Sequence, residues 1–227
     1  MSDVHPSESP RIRVALVDDQ ALFRAGIRML VSSQPDLEFV GEAGNGAAGV
    51  TMAAAVRPDV ILMDIRMPVM DGIDATVAII AAAVTAGVTP PRIVVLTTFE
   101  LDESASRAIR GGASGFLLKD ADPEFLLAAI RTVHSGTAVI AAAQTRELFE
   151  NFGVAATAVP TAYELLTARE REIFGLAARG LSNAEIAASE FLSEATVKTH
   201  ISRVLSKLEL RDRVQLVVYA YENGLVE

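Results

Sequence analysis

Acidic side chains that could bind a metal follow two apolar runs of this sequence. Ile12–Val17 is followed by Asp18 and Asp19, and Val60–Met63 is followed by Asp64. Apolar, partly β-branched runs without polar alternation are typical of strands buried on both faces of a parallel sheet. Because ligands bind at the carboxyl ends of such strands, the three carboxylates are candidates for a common site.

Two further apolar runs end in polar groups of complementary chemistry. Ile93–Leu96 is followed by Thr97, and Ser114–Leu118 is followed by Lys119. Taken alone, Asp64 could equally cap a helix or begin a turn. Four polar strand ends at one edge of a parallel sheet favour a reaction site over four separate caps.

The chemistry of this set is that of phosphoryl transfer. Clustered carboxylates repel one another, and a hard divalent cation such as Mg²⁺ relieves the repulsion. A carboxylate beside a metal and a lysine is a usable nucleophile towards a phosphoryl group. The product would carry about 1.5 to 2 negative charges, and Thr97 and Lys119 are the natural donors to its oxygens.

Five strand–helix units must position these residues. The predicted strands are 12–17, 37–42, 60–63, 93–96 and 114–118. The predicted helices cover 22–31, the stretch from the Gly44-Asn45-Gly46 turn to about 56, 73–85, the stretch between an Asp102 cap and Gly111, and 123–135 after an Asp122 cap. Such alternation predicts an α/β fold with a doubly wound, five-stranded parallel sheet.

Residues 11–136 resemble the receiver domain of two-component response regulators, which is flavodoxin-like. The motifs are Val17-Asp18-Asp19, Met63-Asp64-Ile65-Arg66-Met67-Pro68-Val69-Met70-Asp71-Gly72, Leu96-Thr97-Thr98 and Gly115-Phe116-Leu117-Leu118-Lys119. Two positions depart from the family pattern. Lys119 precedes Asp120 instead of a proline, and Val69 stands where glycine is common.

The resemblance implies a role for each residue of the set. Asp64 would be the phosphoacceptor, and Asp19, Asp64 and the backbone carbonyl of Arg66 would bind Mg²⁺ directly. Asp18 would bind it through water or help to position it. The remaining implied roles are a switch hydroxyl, a phosphate-pairing amine and an aromatic switch, at Thr97, Lys119 and Phe116. Ordinary core packing remains the alternative for Phe116.

The last 62 residues have a helical pattern. Capping boxes begin at Thr167 and Ser182, and Ser193 and Asp212 are further predicted caps. A short helix and a turn followed by the helix 194–208 is the helix-turn-helix arrangement, in a predicted all-α, four-helix domain. The helix 194–208 has an apolar stripe, and its opposite side is polar, which suits contact with DNA or, alternatively, with solvent.

This C-terminal part resembles the LuxR-type helix-turn-helix of the NarL/FixJ subgroup. The motifs are Leu166-Thr167-Ala168-Arg169-Glu170-Arg171-Glu172, Leu181-Ser182-Asn183-Ala184-Glu185-Ile186-Ala187 and Ser193-Glu194-Ala195-Thr196-Val197-Lys198-Thr199-His200. The resemblance implies base contacts from Lys198, Thr199 and Ser202, and backbone contacts from Thr196, His200 and Arg203. Ser202 is shorter than the basic residue found there in some relatives, which puts its base contact in doubt.

Composition narrows the protein class. The net charge of −9 argues against general nucleic-acid binding by the whole chain, but residues 195–213 hold five Lys or Arg against two Asp or Glu. The chain has no cysteine, no long apolar segment and no signal-peptide pattern at its start, so we expect a cytoplasmic protein without membrane contact. The expected organisation is a tail at 1–10, a receiver at 11–136, a linker at 137–163 with a possible short helix at 144–152, and a DNA-binding domain at 164–227.

The sequence therefore predicts a transcriptional regulator, not an enzyme. A histidine kinase would phosphorylate Asp64, and the resemblance implies homodimerisation and release of a recognition helix held by the receiver. Two alternatives remain open. An aspartate-nucleophile phosphatase would need an acid where Arg66 stands, and a ligand-sensing LuxR-type regulator would lack the Asp, Thr and Lys set.

Overall fold

The computed structural model describes residues 10–97, 103–136 and 159–225. The N-terminal part is a five-stranded parallel sheet with the order β2-β1-β3-β4-β5. The strands are β1 (Ile12–Val17), β2 (Leu37–Ala43), β3 (Val60–Asp64), β4 (Arg92–Thr97) and β5 (Gly115–Leu118). The predicted doubly wound sheet is confirmed, with observed boundaries within one residue of those expected.

Helices cover both faces of this sheet. They are α1 (Ala21–Ser32), α2 (Gly46–Val56), α3 (Gly72–Thr85), α4 (Glu103–Arg110) and α5 (Pro123–His134). Val14, Leu16 and Leu62 point towards the α1 and α5 side, and the intervening Ile61 and Met63 point to the α2–α4 side. This explains why β1, β3 and β4 are nearly uninterrupted apolar runs, since both of their faces are buried.

Local signals begin the helices where the sequence indicates. Asn45, Asp71 and Asp122 each accept a hydrogen bond from a backbone N–H in the first turn of α2, α3 and α5. Gly72 begins α3 for a steric reason, because a Cβ there would lie 1.9 Å from the carbonyl oxygen of Asp64. The loop after β3 therefore returns tightly beneath its last residue.

The C-terminal part is helical, with α6 (Thr161–Glu164), α7 (Ala168–Ala178), α8 (Asn183–Glu190), α9 (Glu194–Lys207) and α10 (Arg213–Glu222). The Thr167 and Ser182 capping boxes are both formed, and Ser193 and Asp212 cap α9 and α10. The core of this part contains Phe174, and the stripe of α9 packs into it as predicted, through Val197, Ile201, Val204 and Leu208 with Leu205 partly buried.

Helix α10 belongs to both parts of the chain. Leu216 and Ala220 lie in the core of the helical part, whereas Val214, Val217 and Val218 lie in the core on the α2–α4 side of the sheet. It packs against α4 as well as α7. The two parts therefore share a helix whose apolar residues face both cores, while Gln215 and Glu222 lie between them.

Some details differ from the sequence prediction. Leu22, assigned to the apolar spacing of α1, is 87% exposed. Helix α6 was not predicted and lies across the expected end of the linker, where Tyr163 packs edge-on against Phe174 with ring centroids 5.1 Å apart. Outside the described residues lie the predicted tail at 1–10 apart from Pro10, the Asp102 cap, most of the linker and its possible helix at 144–152. Within the described ranges no helix is long and apolar enough to span a membrane.

Candidate functional site

Three carboxylates meet at the carboxyl edge of the sheet. Asp18 follows β1, Asp19 comes next, and Asp64 is the last residue of the adjacent β3. One carboxylate oxygen from each can be chosen so that all three lie within 4.8 Å of one another. Asp18 is completely buried and Asp64 nearly so, while Asp19 is exposed. The cluster predicted from the strand ends is therefore formed.

Lys119 bridges two of these acids. Its Nζ atom lies 2.8 Å from Oδ2 of Asp18 and 2.8 Å from Oδ2 of Asp64. Lys119 follows β5, and its backbone N–H donates to the carbonyl of Thr97 at the end of β4. The ammonium also lies 5.2 Å from the ring centroid of Phe23 in α1, a cation–π contact that the sequence did not suggest.

Burial and charge act in opposite directions at this site. Burial raises the pKa of Asp64, and the negative charge of Asp18 adds to this effect, while hydrogen bonds from Lys119 and from the backbone of Arg66 oppose it. Burial alone would lower the pKa of Lys119, but its hydrogen bonds to Asp18 and Asp64 outweigh burial and raise it. The lysine therefore keeps its charge beside the carboxylates.

The donor set suits a divalent cation. Three carboxylates and one ammonium leave a net charge of −2 among Asp18, Asp19, Asp64 and Lys119. Opposite ligands of an octahedral Mg²⁺ lie about 4.2 Å apart, twice a metal–oxygen distance of about 2.1 Å. The spread of the three oxygens is close to this value, so small side-chain movements would let all three approach one ion.

The other predicted residues of this edge lie around the cluster. Thr97 is buried at the end of β4, and Phe116 is buried in the core of the α2–α4 side. Arg66 lies two residues after Asp64 with an exposed side chain. The Lys119–Asp120 peptide bond is trans, and Val69 has a φ of 73°, the left-handed region that glycine would adopt without strain.

The predicted DNA-reading residues share one side of α9. Lys198, Thr199, Ser202 and Arg203 are exposed, and Thr196 and His200 are partly buried. The hydroxyl of Thr199 donates to the carbonyl of Ala195, and Thr196 shares a hydrogen bond with Ser193. Lys198 and Ser202 also line a cavity between the two parts of the chain, opposite Arg92.

A polar network between the two parts was missed by the sequence reasoning. The carboxylate of Asp212 is 3% exposed and accepts from the Ser114 hydroxyl at 2.8 Å and from Arg92 Nη1 at 3.2 Å. The side-chain amide of Gln215 donates to the carbonyl of Ile109 at 3.0 Å. These partners are about 100 residues apart in sequence, so no local spacing could indicate them.

Comparison with protein families identifies both parts. Residues 14–131 match the model described as the response regulator receiver domain. Residues 164–220 match the model described as bacterial regulatory proteins, luxR family. A receiver match for the N-terminal part favours the phosphoacceptor interpretation over the ligand-sensing alternative.

Similar proteins cover almost the whole chain. An uncharacterized transcriptional regulatory protein of Bacillus subtilis, YxjL, is 42% identical over 96% of this chain and 98% of its own length. The B. subtilis transcriptional regulatory protein LiaR is 40% identical over 95% of this chain and 99% of its own. Among solved structures, the response regulator ChrA of a heme-sensing two-component system is 34% identical, covers 96% of this chain and 100% of that one, and has a TM-score of 0.50.

Proposed function

Because this chain is a response regulator, with a receiver domain joined to a LuxR-type DNA-binding region, we propose that phosphorylation of Asp64 controls its affinity for promoter DNA. The observation that carries the proposal is the set of acids around Lys119 at the carboxyl edge of the sheet. We assign Asp64 as the nucleophile because it ends the central strand β3 and is 5% exposed, whereas Asp18, equally close to the ammonium, is completely buried.

The reaction needs little from the protein besides charge and position. A carboxylate oxygen of Asp64 forms a bond to phosphorus as the bond between phosphorus and the donor histidine nitrogen breaks, and the leaving nitrogen keeps the bonding electrons. Asp18, Asp19, Asp64 and the carbonyl of Arg66 would hold Mg²⁺, which when bound neutralises charge on the transferring group. Lys119 pairs with the product oxygens, and the Thr97 hydroxyl donates to them.

The new phosphoryl group changes the partners of Lys119. At present this lysine neutralises Asp18 and Asp64 together, and a phosphoryl group of about 1.5 to 2 negative charges would compete for it. Thr97 ends β4, the strand that begins at Arg92, and Phe116 lies on the paired strand β5. Because Arg92 and Ser114 bind Asp212 of the DNA-binding part, movement of these strands reaches the contact between the two parts.

That contact limits access to the DNA-reading residues. Lys198 and Ser202 of α9 line a cavity whose other walls include Arg92 and Gly136 of the receiver, so the receiver lies beside the surface that a duplex would have to approach. We infer that the described arrangement is the inactive one and that phosphorylation opens it. The partners of the protein are then a cognate histidine kinase, promoter DNA and, once phosphorylated, a second copy of the chain.

The proposed function also gives the cellular compartment of the protein and the kind of activity that we expect from it. A regulator that receives phosphate from a kinase and binds promoters works in the cytoplasm. Its relatives are transcriptional regulators, and we assign this chain no turnover of a substrate beyond its own phosphorylation. The dimer would bind two half-sites about one helical turn, or 34–36 Å, apart.

Labelling by a small phosphodonor tests the proposal. We expect acetyl phosphate and Mg²⁺ to add one phosphoryl group to the wild-type chain, and the peptide containing Asp64 to carry it after proteolysis. Asp64→Asn should remain unlabelled, whereas the control Asp71→Asn, which keeps the α3 cap, should be labelled. Full labelling of Asp64→Asn would refute the assignment.

A phosphatase activity gives a different result. Steady release of phosphate from a model ester, at a rate unchanged when residues 150–227 are deleted, would favour the enzymatic alternative. No carboxylate stands two residues after Asp64, where such an enzyme places its acid, because that position is Arg66.

A further inference from the structure

A cavity of about 220 Å³ lies between the receiver and the DNA-binding part. Its walls come from both, with Arg92, Ser135 and Gly136 on the receiver side. The facing walls include Lys198 and Ser202 of α9, together with Arg211 and Arg213 at the start of α10. The volume exceeds that of a few water molecules but is too small for a nucleic-acid duplex, and lies below the roughly 300–1,000 Å³ of pockets for drug-sized ligands.

Positive charge around this cavity exceeds negative charge. Four cationic side chains line it, and among the described residues the carboxylate paired with one of them is Asp212, 3.2 Å from Arg92. Within the described part of the chain, Lys198, Arg211 and Arg213 have no carboxylate oxygen within 4.0 Å. Glu185 also interacts electrostatically with Arg213 at longer range. With Glu185 and Asp212 both counted, four cationic side chains face two carboxylates.

Arg211 and Arg213 have neutral hydrogen-bond partners in place of acids. Arg213 is 5% exposed and donates to Oδ1 of Asn183 at 2.9 Å and to the carbonyls of Leu181 and Ala177. Arg211 donates weakly to the carbonyl of Pro91 at 3.3 Å, and its Nη1 atom is buried without a hydrogen bond. Burial lowers the pKa of Arg211, and that of Arg213 to about 10, so each charge is held at a cost that an anion would offset.

We propose that this cavity is a binding site for a small, multiply charged oxyanion of the pyrophosphate or phosphate-ester class. Guanidinium groups donate two parallel hydrogen bonds to such oxygens, and the hydroxyl of Ser202 adds a further donor. Because the site takes residues from both parts of the chain, the bound anion holds them together and opposes DNA binding. The site is separate from the phosphoacceptor pocket and does not depend on Asp64.

The strongest competing explanation is that these cations serve DNA alone. Lys198 and Ser202 do lie on the predicted reading side of α9. Arg92, however, begins β4 of the receiver, and Arg211 reaches the carbonyl of Pro91 beside it, so neither belongs to the reading side of α9. Arg92 already donates to Asp212 and, at 2.7 Å, to the carbonyl of Arg211, so Arg211 is the cation outside that side that no described carboxylate pairs with.

Calorimetric titration of the full chain with inorganic pyrophosphate tests the proposal, without Mg²⁺ and at constant ionic strength. We expect one saturable site, weakened at least tenfold by Lys198→Ala, whose side chain is exposed, and by Arg211→Gln. Arg179→Gln removes an exposed arginine of the same part and should leave the affinity unchanged, as should Lys119→Met, which removes the cation of the phosphoacceptor pocket.

Each other outcome overturns the proposal. Loss of binding in Lys119→Met with retention in Arg211→Gln would place the anion at the phosphoacceptor site. If Arg179→Gln weakened pyrophosphate binding as much as Arg211→Gln does, the loss of affinity would reflect net charge alone. If the wild-type chain showed no saturable binding, the cavity would not be an anion site. These results leave Asp64 phosphorylation untouched, so they are distinguishable from failure of the proposed function.

A second measurement tests the coupling to DNA. Ligand effects on binding free energies are reciprocal, so pyrophosphate should weaken promoter binding by the wild-type chain severalfold more than sodium chloride of equal ionic strength. The excess should disappear in Arg211→Gln, which keeps Lys198 for DNA. An equal excess in that variant would mean that pyrophosphate simply competes with DNA phosphates on α9.

Discussion

Replacing Asp212 by Asn should open the contact between the receiver and the DNA-binding part. The carboxylate is buried, caps α10 by accepting from the N–H of Gln215 at 3.1 Å, and binds Ser114 and Arg92 across the contact. Asn caps helices about as well as Asp, so α10 should remain intact. The substitution removes the charge that pairs with Arg92, and with Oδ1 kept as the cap it places an amide NH2 donor where Oδ2 accepts from Arg92 and Ser114.

The size of the expected change in affinity follows from the burial of the Asp212–Arg92 pair. A hydrogen bond to a charged group contributes about 1.5–3 kcal/mol. The Arg92 side chain is 25% exposed, so water replaces part of the lost interaction, and about 1–2 kcal/mol remains. That corresponds to a change of roughly 5–30-fold in the ratio of open to closed molecules. While the closed arrangement dominates, the apparent affinity for DNA should increase by the same factor.

Fluorescence anisotropy with a promoter duplex selected from genomic fragments measures this affinity, using the unphosphorylated chain. Asp36→Asn is the matched control, because Asp36 forms a surface ion pair with Arg131 at 2.7 Å, far from the contact in sequence and on the α5 side. We expect tighter DNA binding by Asp212→Asn and wild-type binding by the control. A folded Asp212→Asn protein with unchanged affinity for DNA would refute the inhibitory role of the contact.

Three further perturbations test other parts of the structure. Glu170 is 4% exposed and binds Lys207 at 2.6 Å. This hydrogen bond, together with those from Thr167, lowers the pKa of Glu170 from 4.5 to about 2. The ionised form therefore stabilises the fold above pH 4.5, and this stability is lost as the pH falls towards 2. At about 1.4 kcal/mol per pKa unit, this shift could contribute at most roughly 3 kcal/mol to the free energy of unfolding. Because Lys207 is 37% exposed, we expect Glu170→Gln to lose about 1–2 kcal/mol of unfolding free energy at pH 7, together with its pH dependence. Urea titrations giving parallel pH profiles for both proteins would contradict this. Val69→Gly should raise the thermal midpoint, since it relieves strain of about 1–3 kcal/mol at a φ of 73° and costs about 0.4–1 kcal/mol in unfolded-chain entropy; a lower midpoint would mean that Val69 is not strained. Lys198→Ala should weaken binding to the selected duplex about tenfold without affecting acetyl phosphate labelling, and unchanged sequence-specific binding would exclude Lys198 from base contact.

The sheet and the polar cluster at its carboxyl edge were predictable because each strand and each polar strand end has a local signal. Apolar runs such as Val60–Met63 predict strands buried on both faces, and parallel strands bring Asp18, Asp64 and Lys119 to one edge. Caps such as Thr167 fixed the helix starts of the C-terminal part to within a residue. In each case the sequence within a few residues predicts the strand or helix, and the parallel arrangement of the strands then brings their ends together.

The contact between the two parts could not be predicted in the same way. Whether Arg92 pairs with Asp212 depends on how two folded units meet, and a charge at the start of a strand has many possible partners. A usable signal was present in α10, where the apolar residues cover more of the helix than one core can bury. The exposure of Leu22 shows the converse, because helical spacing alone does not show whether a partner covers each apolar position.

The most direct test of control by Asp64 phosphorylation compares the DNA affinity of the full chain with the pocket around Asp64 filled and empty. Beryllofluoride with Mg²⁺ mimics a phosphoryl group, and the same promoter duplex can be titrated with the full chain in its presence and absence. We expect at least tenfold tighter binding by the wild-type protein and no change for Asp64→Asn. Occupation of the pocket, confirmed by a raised melting temperature, without any change in the affinity of the wild-type chain for DNA would contradict it.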